Sequence, residues 1–181
     1  MSAPPPPVTL VLGGARSGKS HYAEALLESW VGERVYLATA EAGDAEMAAR
    51  IAAHKARRGD GWITVEEPLD LVGALDASAG RGRAVLVECL TLWLANLLGA
   101  GRDPAAEGAA LIAALPGLAG PVVFVSNEVG QGVVPASALG RRFVDCAGRL
   151  HQDLAAAAAR VVFVAAGLPL VLKGAAEGAP R

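Results

Sequence analysis

Short runs of consecutive apolar residues alternate along the chain with longer segments in which apolar residues recur at helical spacing. Five of the runs are rich in β-branched residues and are predicted to be strands: Val8–Leu12, Val35–Thr39, Ala84–Glu88, Val122–Ser126 and Val161–Ala165. A weaker strand is predicted at Ile63–Glu66. Several runs are apolar throughout, as expected of parallel strands covered on both faces.

Six helices are predicted between the strands: Lys19–Trp30, Ala45–Arg58, Leu69–Ala77, Leu90–Leu98, Ala105–Leu115 and Leu139–Ala159. This alternation of strand and helix predicts a three-layer α/β fold with a mostly parallel sheet. In such sheets ligands bind beyond the carboxyl ends of the strands. The residues that directly follow each strand are therefore the first candidates for a functional site.

The pattern fits one domain, residues 8–173, with a proline-rich disordered tail at 1–7 and a flexible tail at 174–181. The most apolar stretch, Ala155–Leu172, contains Arg160 and the helix-breaking Gly167-Leu168-Pro169, so we do not expect it to cross a membrane. We predict a helix end, a buried strand and then a turn there.

Composition narrows the class of protein. The chain has 181 residues, 53% of them hydrophobic, so it can form a real core and is not disordered throughout. The formal net charge of −2 gives no basic footprint for nucleic acid. Two cysteines and no secretory leader indicate a reduced, cytoplasmic protein.

A phosphate-binding sequence follows the first strand. Its pattern is G-x-x-x-x-G-K-S, formed by Gly13, Gly14, Ala15, Arg16, Ser17, Gly18, Lys19 and Ser20. Glycines let backbone N–H groups approach phosphate oxygens, the lysine reaches the β- and γ-phosphates, and the serine hydroxyl ligates Mg²⁺. The motif predicts a P-loop NTPase (RecA-like) domain that binds a nucleoside triphosphate.

A second acidic group is expected to hold the magnesium. The run Ala84–Glu88 is an apolar strand that ends in a carboxylate, which is the usual second part of such sites. Glu88 is predicted to lie at the functional edge of the sheet, which favours a magnesium or catalytic role over simple capping of the next helix.

Among the three histidines, His54 stands out. Met47, Ile51 and His54 follow one another at helical spacing, so the ring faces the protein body, and Lys55, Arg57 and Arg58 come directly after it. A neutral imidazole beside cations suits attack on phosphate, but spacing alone favours a structural histidine at the edge of the core. His21 is expected to be exposed, and His151 to be structural or exposed.

Four blocks of the sequence carry a resemblance to one family. They are GGARSGKS, ATAEAGDAEMAARIAAHKARRGDGWITVEEP, LVECLTLWLANLL, and VSNEVGQGVVP with RRFVDCAGRLHQDLA. In this order they resemble the bifunctional adenosylcobinamide kinase/adenosylcobinamide-phosphate guanylyltransferases of cobalamin biosynthesis, over essentially Thr9–Lys173. The sequence departs from that family at His151, where the family usually has asparagine.

The resemblance implies a mechanism in two parts. ATP or GTP phosphorylates adenosylcobinamide, and GTP then transfers GMP through a histidine to the phosphorylated corrinoid, giving adenosylcobinamide-GDP. The family histidine corresponds to His54, which reverses the structural interpretation above. The resemblance also implies a homo-oligomer, a trimer, and a nucleotide site lined by Ala38, Thr39, Ala40, Lys55, Ala56, Arg57, Arg58, Glu66 and Glu88. We hypothesise that Glu66 reads the guanine edge.

Some assignments stay open. The block Asn127–Gly132 follows a strand and either shapes the corrinoid or phosphate pocket or is a turn held by its own side chains. A small-molecule P-loop kinase without guanylyl transfer is the main alternative function, and it would need no nucleophilic histidine. A GTP-switch protein is disfavoured because Asp145-Cys146-Ala147-Gly148 falls within a predicted helix and N-K-x-D does not occur.

Overall fold

The computed structural model of the protein describes residues 7–41, 43, 45, 49, 52, 55, 56 and 61–174. Most of the two predicted tails lies outside these residues, as do His54, Arg57 and Arg58. Within the predicted helix Ala45–Arg58, the described residues are all helical: Ala45, Ala49, Ala52, Lys55 and Ala56. None of the helices in the described part of the chain is both long and apolar enough to span a membrane.

Seven strands form one sheet. They are β1 (Val8–Gly13), β2 (Glu33–Ala38), β3 (Ile63–Glu66), β4 (Arg83–Glu88), β5 (Val122–Asn127), β6 (Arg160–Ala165) and β7 (Leu168–Lys173). Their order is β3-β2-β4-β5-β1-β6-β7, and every pairing is parallel except β6 with β7. The six predicted strands are confirmed, and their ends shift by at most two residues.

The described helices are α1 (Lys19–Leu26), α2 (Leu71–Ser78), α3 (Leu90–Gly99), α4 (Pro104–Ala114) and α5 (Ala138–Ala157), with a short 3₁₀ turn at Leu115–Gly117. Asp70 explains why α2 begins later than predicted, because its carboxylate accepts from Gly73 N at 3.1 Å and caps the helix. The prediction for α1 was too long, because the chain turns after Leu26. There the Trp30 backbone N–H donates to Leu27 O at 3.1 Å and its indole Nε1 donates to Gly82 O at 3.3 Å.

Two cores lie on opposite faces of the sheet and make the three layers. Helix α1 covers one face, where Tyr22 and Leu27 pack on strand residues such as Val123. Helices α2 to α5 cover the other, around the fully buried Trp93 and Phe124. Burial on this scale, about 2–3 kcal/mol for each large side chain, holds the strand ends in a fixed register.

The strand β7 corrects the sequence interpretation. Gly167-Leu168-Pro169 was predicted to be a turn, whereas the turn is Ala166-Gly167 and the chain then returns as an antiparallel edge strand. Proline is tolerated in β7 because an edge strand has one row of N–H groups without a ladder partner. Leu168, Leu170 and Leu172 alternate to the exposed side of this strand.

Candidate active site

The phosphate loop between β1 and α1 is tightly packed. A Cβ at Gly13 would lie 2.5 Å from both Ser17 Oγ and Val164 O, so only glycine fits there. Gly18 has φ 93° and starts α1, which directs the helix N-terminus towards the loop. Lys19 is buried, and its ammonium group donates to Gly14 O at 3.2 Å. The Lys19 side chain therefore folds back over the backbone of the phosphate loop.

The β6–β7 turn braces this loop. Gly167 N donates to Ser17 O at 2.8 Å, and a Cβ at Gly18 would lie 3.1 Å from Gly167 Cα. Ala166 and Gly167 have φ of 50° and 80°, the positive values of a type I′ hairpin turn. Sequence reasoning missed Gly167, although a glycine followed by alternating residues of a short strand is a hairpin pattern.

Ser20 and Glu88 come together at the centre of the site. The Ser20 hydroxyl donates to Glu88 Oε1 at 2.8 Å, although the residues lie on α1 and at the end of β4. A hydroxyl and a carboxylate are both hard oxygen donors of the kind that Mg²⁺ takes in nucleotide sites. The donor set therefore fits the ion that the phosphate loop implies.

The end of β4 is fixed by Thr39. Its hydroxyl accepts from Cys89 N at 2.9 Å and donates to Cys89 O at 2.8 Å, and the side chain is fully buried. Asn96 donates to Thr39 O at 2.7 Å and to Pro68 O at 3.2 Å, so one amide links the segments after β2 and β3. Thr39 thus acts on the backbone next to Glu88.

Cys89 is buried beside this carboxylate. Burial and, to a smaller extent, the negative charge of Glu88 together raise the pKa of its thiol to about 11. A thiol with such a pKa carries a proton at neutral pH. Cys89 is therefore a packing residue and not a nucleophile of the site.

Glu66, the other acidic residue predicted for the site, lies at the same edge of the sheet but far from the phosphate loop. Ala38 pairs with Glu66 on one side and with Glu88 on the other, so the three positions are in register. Four strand spacings separate β3 from β1, which puts the Glu66 backbone roughly 19 Å from that of Gly13. Ala40 is half-buried and Glu66 exposed.

The two histidines that the structure describes differ in their exposure to solvent. His21 is exposed on α1 as expected, and His151 is buried in α5. His54 lies outside the described residues; after it, Lys55 and Ala56 are exposed. The role predicted for His54 stays a prediction.

The chain after β5 also reaches the phosphate loop. Glu128 N donates to Gly13 O at 3.0 Å, and the Glu128 carboxylate accepts from Gly130 N at 2.6 Å. The second contact supports the turn interpretation of the block Asn127–Gly132. The block also lies beside the phosphate loop, as the pocket interpretation requires. Asp145-Cys146-Ala147-Gly148 lies inside α5, as predicted, and forms no switch loop.

Comparison with known proteins finds sequences similar to almost the whole chain. Residues 9–172 match the family described as cobinamide kinase / cobinamide phosphate guanyltransferase. The chain is 52% identical over 167 residues to the bifunctional adenosylcobalamin biosynthesis protein CobP of Pseudomonas aeruginosa, covering 91% of this chain and 96% of the relative. It is 43% identical over 179 residues to the bifunctional adenosylcobalamin biosynthesis protein CobU of Escherichia coli K12, with 91% and 98% covered.

Among solved structures, the chain is similar to a prototypical ATPase from the type III secretion system of pathogenic bacteria. The TM-score is 0.55 at 10% identity, covering 91% of this chain and 56% of that chain. The chain thus spans just over half of that ATPase. At this identity the likeness shows the fold alone, and the predicted P-loop NTPase fold is confirmed.

Proposed function

The chain belongs to the cobinamide kinase / cobinamide phosphate guanyltransferase family, and on that premise we propose how one nucleotide site serves both of its reactions. The protein is a bifunctional enzyme of cobalamin biosynthesis. It phosphorylates adenosylcobinamide with a nucleoside triphosphate and transfers GMP from GTP to the product, giving adenosylcobinamide-GDP. The observation that supports one shared site is the Ser20–Glu88 contact of 2.8 Å directly beside the phosphate loop.

The kinase step uses the phosphate loop as an electrostatic cradle. Backbone N–H groups of the loop and the N-terminus of α1 face the phosphates. Lys19 exchanges its contact with Gly14 O for oxygens of the β- and γ-phosphates as the nucleotide enters. The corrinoid hydroxyl then attacks the γ-phosphorus, the bond to the β-phosphate oxygen breaks, and the nucleoside diphosphate leaves.

Ser20 and Glu88 hold Mg²⁺ in this proposal. Both side chains offer oxygen donors, and these already lie in contact with each other, so the first two ligands of the ion are in place. When bound, the ion offsets negative charge on the phosphates and on the leaving group. Thr39 keeps the Glu88–Cys89 backbone in place while this charge develops.

The second reaction needs a nucleophile, and His54 is the proposed one. A ring nitrogen attacks the α-phosphorus of GTP, the bond to pyrophosphate breaks, and a histidine–GMP phosphoramidate forms. A phosphate oxygen of the phosphorylated corrinoid then attacks the same phosphorus and releases the ring. Lys55, Arg57 and Arg58 screen the phosphates during both steps.

Incubation with α-phosphate-labelled GTP and Mg²⁺ tests this directly. We expect the protein to become labelled, with the label lost in acid and kept in base, as a phosphoramidate requires. H54A should abolish labelling, because no other group is assigned to attack, and should retain phosphorylation of adenosylcobinamide. H21A is the matched control, since His21 is exposed on α1 and has no assigned role.

Full labelling of H54A would remove His54 from the mechanism. Phosphorylation without labelling of the parent protein would instead favour the alternative of a small-molecule P-loop kinase. We further propose that the enzyme is cytoplasmic and forms a homotrimer, and that ATP or GTP serves the kinase step.

A further inference from the structure

A chain of buried polar side chains runs beneath the site on the face covered by α3 and α5. His151 Nε2 lies 2.7 Å from Ser126 Oγ, and Ser126 Oγ lies 3.1 Å from Thr91 Oγ1. All three residues are buried, with His151 only 6% exposed. They join helix α5, the end of β5 and the first turn of α3.

This row of hydrogen-bonded side chains ends at the loop that follows β5. Thr91 Oγ1 accepts from Asn127 N at 2.7 Å, and the next residue, Glu128, donates its N–H to Gly13 O at 3.0 Å. Thr91 itself lies three residues after Glu88. The loop Asn127–Gly132 is thus held at its start by a side chain beside the metal ligand and by the phosphate loop.

One order of protons satisfies each of these groups, and it is the order taken here. Thr91 accepts from Asn127 N and donates to Ser126, and Ser126 donates to His151 Nε2. This arrangement needs a neutral ring with its proton on Nδ1, which lies 3.9 Å from Glu128 Oε2. Burial lowers the pKa of His151, and Glu128 opposes this only in part.

Among the residues that the structure describes, few charged groups lie around the His151 ring. Helix α3 and strands β1 and β5 carry no titratable side chain, and the Glu107 carboxylate of α4 is paired with Arg102 at 2.6 Å. On α5 itself the nearest charged positions are Arg149 and Asp153, both exposed. Glu128 is therefore the group whose charge acts on His151.

We propose that His151 is a positioning residue for the kinase reaction, which through Ser126 and Thr91 holds the loop Asn127–Gly132 against the phosphate loop. The proposal rests on the proposed kinase function. It also makes the reaction sensitive to acid. Protonation puts a hydrogen on Nε2, so the ring no longer accepts from Ser126. The Ser126 hydroxyl then turns to donate to Thr91, and the Thr91 hydroxyl loses Ser126 as the acceptor of its own proton, which disturbs the side chain that holds Asn127.

Two substitutions separate hydrogen bonding from packing. H151Q places an amide atom near the position of Nε2 and does not titrate. H151L fills a similar volume and leaves the Ser126 hydroxyl without its acceptor. Phosphorylation of adenosylcobinamide is followed between about pH 5 and pH 8 with ATP as the only nucleotide, so that no GMP is available. His54 is present in the parent enzyme and in both variants, so its effect is the same in all three pH profiles.

We expect the parent enzyme to lose kcat/KM for adenosylcobinamide as the pH falls. H151Q should keep the activity at pH 8 within about twofold and lack this acidic decline. H151L should lose about tenfold or more at every pH, because small displacements near the reacting groups are costly. Binding of a fluorescent ATP analogue should change less than about twofold in both, since the donors of the phosphate loop are unaltered.

Amide hydrogen exchange gives a readout without turnover. The N–H groups of Asn127, Glu128 and Gly130 should exchange at least about tenfold faster in H151L and at the parental rate in H151Q. Unchanged exchange in H151L, or an acidic decline that persists in H151Q, would overturn the proposal. If no form phosphorylated the corrinoid, the proposed function would fail, while exchange would still decide whether His151 holds the loop.

Discussion

At the scale of single residues, Thr39 shows how a buried hydroxyl positions the backbone next to a carboxylate, Glu88, that the hydroxyl itself does not contact. It makes two hydrogen bonds to the backbone of Cys89, the residue after Glu88, across a separation of 50 positions in the sequence. The resemblance placed Thr39 in the nucleotide site by its position after β2. The structure gives its side chain a partner at Cys89, directly after β4, and a contact with nucleotide stays a prediction.

T39V should lower the free energy of unfolding by about 2 kcal/mol. Valine matches threonine in shape, but it leaves the Cys89 N–H buried without the Thr39 acceptor and removes one donor from the Cys89 C=O, which keeps its bond from Trp93 N. T39S is the control, because it keeps the hydroxyl and should lose less than about 1 kcal/mol. Urea denaturation measures both, and equal stability of the two variants would show that the hydroxyl contributes nothing.

At the scale of elements, the β6–β7 hairpin contacts the phosphate loop although it lies far from that loop in sequence. Its turn donates from Gly167 to Ser17 O, and the same turn packs on Gly18. The hairpin therefore stabilises the loop from the side opposite β5.

G167A should weaken nucleotide binding severalfold. The φ of 80° at Gly167 strains any residue with a Cβ by about 1–2 kcal/mol, and relief of that strain moves the turn away from Ser17. Gly82 offers a matched control, since it has the same φ of 80° and open space at its Cβ, but lies before β4 at the other end of the sheet. G82A should cost similar stability and leave binding unchanged. Titration with a fluorescent ATP analogue distinguishes them, and equal binding by both variants would contradict the bracing role.

The strands of the central sheet could be predicted closely because their apolar runs are unbroken, as burial on both faces requires. The strand β7 was missed because one of its faces is exposed and it contains Pro169, so the run looked like a turn. The phosphate loop and Glu88 were readable from local sequence. The partnership of His151 with Ser126 was not, because it joins residues 25 positions apart through side chains that no local pattern relates.

At the scale of the whole molecule, the site depends on one edge of the sheet. Gly13 pairs with Asn127 and Val164, while Glu88 pairs with Ala38 and Val125. Binding of nucleotide at this edge stabilises only the folded chain, so its effect appears in global unfolding. A single substitution in the phosphate loop is therefore expected to change the response of the entire protein to ligand.

K19A should abolish the stabilisation by Mg-ATP that the parent shows in thermal unfolding. At a nucleotide concentration about 100-fold above Kd, binding adds about 2.7 kcal/mol to the parent. K173A is the control, because Lys173 caps the carbonyls of Ala155 and Ala156 at 2.9 and 2.8 Å, away from the loop. If K19A kept both the thermal shift and the labelling by GTP, a second nucleotide site would be required.

The place of β1 in the sheet has a consequence for synthesis. Its two neighbours, β5 and β6, are translated long after it, and the hairpin turn that contacts Ser17 comes later still. The phosphate loop therefore leaves the ribosome early during synthesis. Almost all of the described residues must follow before the strands and the hairpin turn that surround it are present. The capacity to hold a triphosphate is acquired near the completion of β7, so truncated chains released before that point would not compete for cellular nucleotide.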